Sequence, residues 1–166
     1  PILKATKLNK ERIYFVPGNH DICRNLDTKR IEKGLEETLI NQKEINTFFD
    51  EPEGINRILP FKEFEKYYYD KVSNNPKITN FHSNYITTIN GKTIGITCLN
   101  SSWRCFDSNK DKTKILIGER QLIESINELK ECDIKIALSH HHFDWLNDFD
   151  GEVIEGNQFK LNLYNS

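Results

Sequence analysis

An α/β layered fold is predicted by three observations in this 166-residue sequence. A β-rich run at residues 93–99, an amphipathic stretch at 118–131 and an apolar run at 134–138 follow one another in strand–helix–strand order. A second β-rich run at 85–89 is tied to the first by Asn90-Gly91, a dipeptide that both central positions of a type I′ hairpin favour. Residues 27–49 carry apolar side chains at spacings near three and four among many charges, the pattern of a helix that covers such a sheet.

In chain order, Pro1 opens directly ahead of a helix-like stretch. Arg12-Ile13-Tyr14-Phe15-Val16 reads as a short strand, because it is β-rich and ends on the turn chemistry of Pro17-Gly18-Asn19. In the helical region that follows, Ile31, Leu35, Leu39, Ile45 and Phe48 share a face, with a break expected at Asn41 and a stop at Glu51-Pro52-Glu53-Gly54. Phe61, Phe64, Tyr67 and Tyr68 mark a second helix, whose aromatic row is expected to pack on the core rather than to stack on nucleic-acid bases. Ser73-Asn74-Asn75-Pro76 ends it. The hairpin comes next, then the helix at 118–131, with Leu122, Ile123, Ile126 and Leu129 on one side, and the strand at 134–138. Residues 152–164 carry no pattern that assigns them. No repeat or linker divides the chain, so residues 1–166 are read as one domain.

Composition narrows the function classes. Hydrophobic residues make up 37% and charged residues 29%, enough for one packed core. No apolar run approaches the roughly 18 residues of a bilayer span, and the N-terminal residues lack the order of a secretory signal, so no membrane partner is expected. With 23 Lys plus Arg against 25 Asp plus Glu the net charge is -2, which argues against generic nucleic-acid binding. Cys23, Cys98, Cys105 and Cys132 form no CxxC pair and suit free thiols in a cytoplasmic protein rather than a zinc knuckle.

Four of the five histidines fall in two places, His20 and the run His140-His141-His142, each just beyond an expected strand. Ligands of α/β sheets gather at the carboxyl ends of strands, so the two places converge on one site if their strands are neighbours. In Pro17-Gly18-Asn19-His20-Asp21, Gly18 permits a sharp turn, the Asn19 amide oxygen suits a hard divalent cation, and His20 can give a proton or hold an anion. Such Asn and Asp side chains also hydrogen-bond their own turn. His140 is the first histidine beyond an apolar strand, where an imidazole meets a cleft without burial. Three successive histidines cannot all point one way in extended chain.

Val16 to Asp21 by motif resembles the Gly-Asn-His-Asp/Glu signature of the calcineurin-like metallophosphoesterases. Ser139-His140-His141 through Asp144-Trp145-Leu146 resembles the histidine block of the same family, and Leu99-Asn100-Ser101-Ser102-Trp103-Arg104 is similar to a segment frequent in its bacterial members. The resemblance implies a metal-dependent phosphoesterase, a hydrolase, with this chain forming an incomplete four-layer α-β-β-α sandwich, a mixed sheet flanked by helices. It further implies two divalent ions, Mn, Fe or Zn, with Asn19 and His140 ligating the same ion. His20 would contact phosphate and protonate the leaving oxygen, and Arg104 and His141 are second-line candidates for substrate contact. Substrates of the implied kind are phosphorylated small molecules, nucleotides or phosphoproteins. His142 and Phe143 stand where the family usually has prolines. The family's Asp-x-His, Gly-Asp-x-x-Asp and Gly-His-x-His occur nowhere in the sequence. With no methionine present, this predicts an interior piece of a longer enzyme that holds no dinuclear metal and is inactive alone. The alternatives are a non-catalytic relative that binds a nucleotide or protein, and a mononuclear metal protein built on the run from 140 to 142.

Overall fold

The computed structural model describes residues 2–72, 76–107, 109–157 and 162–165. A short helix α1 (Ile2–Thr6) and a single 3-10 turn (Lys10–Arg12) precede the extended segment at 13–16. The helical region at 27–49 is two helices, α2 (Lys29–Thr38) and α3 (Gln42–Asp50). Each starts on a side-chain cap: Thr28 accepts the Ile31 N–H at 3.3 Å, and Asn41 accepts the Glu44 N–H at 3.0 Å. Capping satisfies amides that the first helical turn leaves without partners, so the expected break at Asn41 is a helix start.

Helix α4 (Leu59–Tyr68) carries Pro60 in its first turn, where a missing N–H costs nothing. Two strands then form the hairpin, β2 (His82–Ile89) and β3 (Lys92–Leu99), with Asn90 at φ 50° and Gly91 at φ 75° as a type I′ turn requires. A two-residue strand, β1 (Lys77–Ile78), pairs antiparallel with β2. Helix α5 (Glu119–Glu128) crosses over to β4 (Ile134–Ser139), which lies parallel to β3. The segment without a sequence pattern supplies α6 (Asp148–Asn157) and β5 (Asn162–Asn165), parallel to β4. The five strands form one mixed sheet in the order β1-β2-β3-β4-β5. No described helix is long and apolar enough to cross a membrane.

Successive side chains on a strand face opposite sides, and this decides what the sheet carries. Thr97 meets Ser125 of α5 at 2.8 Å, whereas Ser83, paired with the neighbouring Cys98, meets Lys62 of α4 at 2.9 Å. Helices α5 and α4 therefore cover opposite faces. The core on the α5 side includes Ile45, Leu99, Trp103, Ile115, Ile117, Leu122 and Ala137, and the core on the α4 side gathers Tyr69, Tyr85, Ile96 and Cys98.

Two expectations are corrected. Residues 12–16 form no strand: Ile13 is extended, but the run joins no ladder. Its aromatic side chains find partners instead, Tyr14 against Tyr85 at 5.1 Å and Phe15 against Tyr68 at 4.7 Å, while the Tyr69 hydroxyl donates to the Ile13 carbonyl. The aromatic row of α4 is also only half inside: Phe61 and Tyr68 pack on the two cores, but Phe64 and Tyr67 are exposed. The buried positions of that helix are Lys62 and Glu65, paired to each other at 2.8 Å, with the Tyr85 hydroxyl donating to Glu65. A buried ion pair is tolerated when its remaining groups are hydrogen-bonded, as these are. The stop at 73–75 lies outside the described residues.

Candidate active site

Three segments meet beyond the carboxyl ends of β3 and β4. From β3 the chain runs into Asn100, Ser101, Ser102, Trp103, Arg104 and Cys105, all buried. Gln121 of α5 fixes the first of them, its Oε1 accepting the Asn100 N–H at 2.9 Å and its Nε2 donating to the Asn100 carbonyl at 3.1 Å. Asn100 Oδ1 in turn accepts the Ser102 N–H at 2.9 Å. The Ser102 hydroxyl then donates to the Pro17 carbonyl at 2.8 Å, which pins the 17–21 turn to the end of β3 across 85 positions of sequence.

The turn also closes on itself. Asp21 Oδ2 accepts the Gly18 N–H at 2.8 Å, and the Asp21 N–H donates to the Gly18 carbonyl at 3.0 Å. Asp21 is therefore spent on shaping the loop. Asn19 is half-buried, His20 is exposed, and Arg24 reaches the Asn19 carbonyl at 3.5 Å. A Cβ placed on Gly18 would lie 3.3 to 3.5 Å from ring atoms of His140. The two histidine-bearing stretches, about 120 residues apart in sequence, are thus in contact. This contact does not come from neighbouring strands, since residues 12–16 are not in the sheet; Ser102 and the glycine's open flank bring the loop to the strand end.

The three adjacent histidines diverge. His140 is half-buried, with its ring edge-on to His141 at 4.6 Å. His141 is 8% exposed, its Nδ1 lies 2.8 Å from the Ser101 hydroxyl and its N–H donates to the same oxygen at 3.2 Å. Burial pushes its pKa down to about 4, with the neighbouring His140 adding to the effect and Asp111 opposing it. His141 is a neutral spacer behind His140. His142 is exposed and its Nδ1 accepts the Asp144 N–H at 3.3 Å, capping the 3-10 turn Phe143–Trp145.

Arg104 is 7% exposed and grips Glu32 with both terminal nitrogens, at 2.7 and 3.1 Å. Glu32 also pairs with Arg57, which reaches the Cys105 carbonyl at 3.1 Å and lies 3.5 Å from Asp27. Arg104 stands at the wall of a cleft of about 590 Å³ between α2 and residues 104–116 that also carries Lys29, Lys33, Lys110 and Lys114. This network of Asp27, Glu32, Arg57 and Arg104 locks the segment after the 17–21 turn to the segment after β3. Sequence inspection does not single out Asp27 or Arg57, and it places Ser101 and Ser102 in a family-like segment without giving either of them a role.

Asn19 and His140 provide donors suited to a divalent ion, an amide oxygen and an imidazole nitrogen. Among the described residues no group of three or more His, Cys, Asp or Glu is arranged to hold a metal. By residue type, Asn19 and His140 would make up only part of a coordination sphere, short of the three protein ligands a catalytic site normally has.

A family model described as calcineurin-like phosphoesterase matches residues 2–164. No curated protein and no solved structure matches the chain.

Proposed function

The chain belongs to the calcineurin-like phosphoesterase family, and from that membership we propose that it contributes the Asn19–His20 turn and His140 to a metal-dependent phosphoester hydrolase. The observation that carries the proposal is the approach of Gly18 to His140, with ring atoms 3.3 to 3.5 Å from the Cβ position. In it, Asn19 and His140 are donors to one divalent ion and His20, exposed beside them, holds the substrate phosphate and protonates the leaving oxygen. The family's two divalent ions, when bound, supply an activated water and neutralise phosphate charge. The carboxylates of Asp-x-His and Gly-Asp-x-x-Asp are missing from the sequence, so the proposal assigns the remaining ligands to residues outside it and expects the 166 residues alone to be inactive. The substrate is a phosphorylated small molecule, a nucleotide or a phosphoprotein. Arg104 serves it through the loop it holds, because its guanidinium is taken up by Glu32.

The test is made in the complete protein, where the two neighbours fail differently. His20→Ala removes a proton donor but no ligand, so metal content persists while turnover falls about 10²- to 10⁴-fold. The loss is smaller on an aryl phosphate, whose phenolate leaves with little protonation. Asn19→Ala lowers metal occupancy, and activity returns in part at high metal concentration. Loss of metal in His20→Ala, or full activity in both variants, refutes the assignment.

A further inference from the structure

The cleft of about 590 Å³ between α2 and residues 104–116 takes no part in the chemistry assigned above, since Asn19, His20 and His140 are not among its described walls. Its size is that of a small-molecule site. Leu35 and Leu39 of α2 make one apolar side, and Phe106 and Leu116 make the other. The Arg57 guanidinium stands over the Phe106 ring at 5.8 Å and steadies it.

The charged groups of the walls are unequally committed. Both carboxylate oxygens of Glu32 are taken by Arg104, at 2.7 and 3.1 Å, and one of them also by Arg57. Glu36 accepts from Lys114 at 2.9 Å, an ion pair that ties the two walls together. The Asp111 carboxylate is turned into its own loop, where it accepts the N–H groups of Phe106 at 3.0 Å and of Asp107 at 2.9 Å. What remains is Lys29 and Lys33, one helical turn apart on α2, and Lys110 on the loop, against Asp107. Lys33 and Lys110 meet carboxylates only at 3.7 and 3.6 Å, with their own side chains 76% and 77% exposed. Such surface pairs are weak and give way to a better anion.

We propose that this cleft binds a small aromatic phosphomonoester such as a nucleoside monophosphate, its phosphate met by Lys29, Lys33 and Lys110 and its ring lodged against Phe106, Leu35 and Leu116. A phosphomonoester carries about -1.5 to -2 charge near neutrality and three strong acceptor oxygens, so it can answer ammonium groups that arrive from two walls. A carboxylate, with one charge and two oxygens, answers fewer of them. Lysine meets phosphate as a flexible point charge, so no fixed fork of donors is required. The apolar sides call for a body that displaces water, and a flat ring suits Phe106 because aromatic pairs gain from offset or edge-on contact beyond the area they bury. Binding here needs no metal and involves no chemical step, so the site stands or falls independently of the roles of Asn19, His20 and His140.

The test titrates adenosine monophosphate into the chain in EDTA, which keeps metal out of the candidate active site, and follows side chains by ¹H–¹³C NMR. The expected result is a saturable shift of the Phe106 ring and of the Leu35 and Leu116 methyl groups, with the His20 and His140 rings unmoved. Adenosine and inorganic phosphate, each keeping only part of the contacts, bind about 10-fold or more weakly. Lys33→Gln and Lys110→Gln each weaken binding about 3- to 10-fold and reduce its salt dependence. Both lysines are exposed, so neither variant touches the core. No saturation by about 10 mM, shifts at His20 and His140 while Phe106 stays still, equal binding of adenosine, or full affinity in both lysine variants overturns the proposal.

Discussion

At the scale of single residues, Gly18 matters for its neighbour rather than its backbone. Its φ lies outside the left-handed region, where Gly54, Gly91 and Gly118 are found, but a methyl group there would press on the His140 ring at 3.3 Å. Gly18→Ala is expected to push the His140 ring aside by a few tenths of an ångström and so to move its ring resonances, which NMR checks. His82 and His141 make a second prediction. Both have folded pKa values of about 4, below the ordinary 6.5. The unfolded chain then binds protons that the folded one refuses, so stability is complete above about pH 6.5 and falls as the pH drops toward 4. The slope reaches about 1.4 kcal/mol per pH unit for each histidine. Urea midpoints in metal-free buffer should fall from pH 7 to about pH 5, and His141→Gln should flatten the fall.

At the scale of elements, the start of α5 is held from a distance. Asp150 of α6 accepts the N–H groups of Ile117 and Gly118, the latter at 2.9 Å, and Gln42 Nε2 donates to it at 2.7 Å. Asp150→Ala strands these buried donors and is expected to cost about 2 to 4 kcal/mol in chemical unfolding, the range for lost bonds to a charged group plus a cap. Nothing near Gly118 in the sequence announces a cap 32 positions away. Local signals were readable where the chemistry is local: Asn90-Gly91 forms its hairpin, and Asn41 starts its helix. They misled at residues 12–16, where β propensity reflects aromatic packing rather than a ladder, and in α4, where the long-range partners Ser83 and Tyr85 allow Lys62 and Glu65 to be buried.

At the scale of the whole molecule, the candidate site was legible as two motifs expected to meet, but the residues that join them were not. Gly18-Asn19-His20-Asp21 and His140 stand out because their residue types suit phosphate and metal chemistry. What brings them together, the Ser102 hydroxyl on the Pro17 carbonyl and His141 packed behind His140 on Ser101, depends on distant residues with ordinary side chains. His141, a second-line candidate for substrate contact in the sequence, lies buried in the fold with its Nδ1 on the Ser101 hydroxyl. The mixed sheet places β3 and β4 side by side and parallel, and that adjacency lets one loop reach both strand ends.

The central claim, that Asn19 and His140 serve one metal ion, is tested most directly by an anomalous-difference map from crystals of the complete protein grown with Mn²⁺. The account predicts a peak about 2.0 to 2.3 Å from both the Asn19 side-chain oxygen and a ring nitrogen of His140. A peak that touches only one of them, or metal bound with neither, contradicts it.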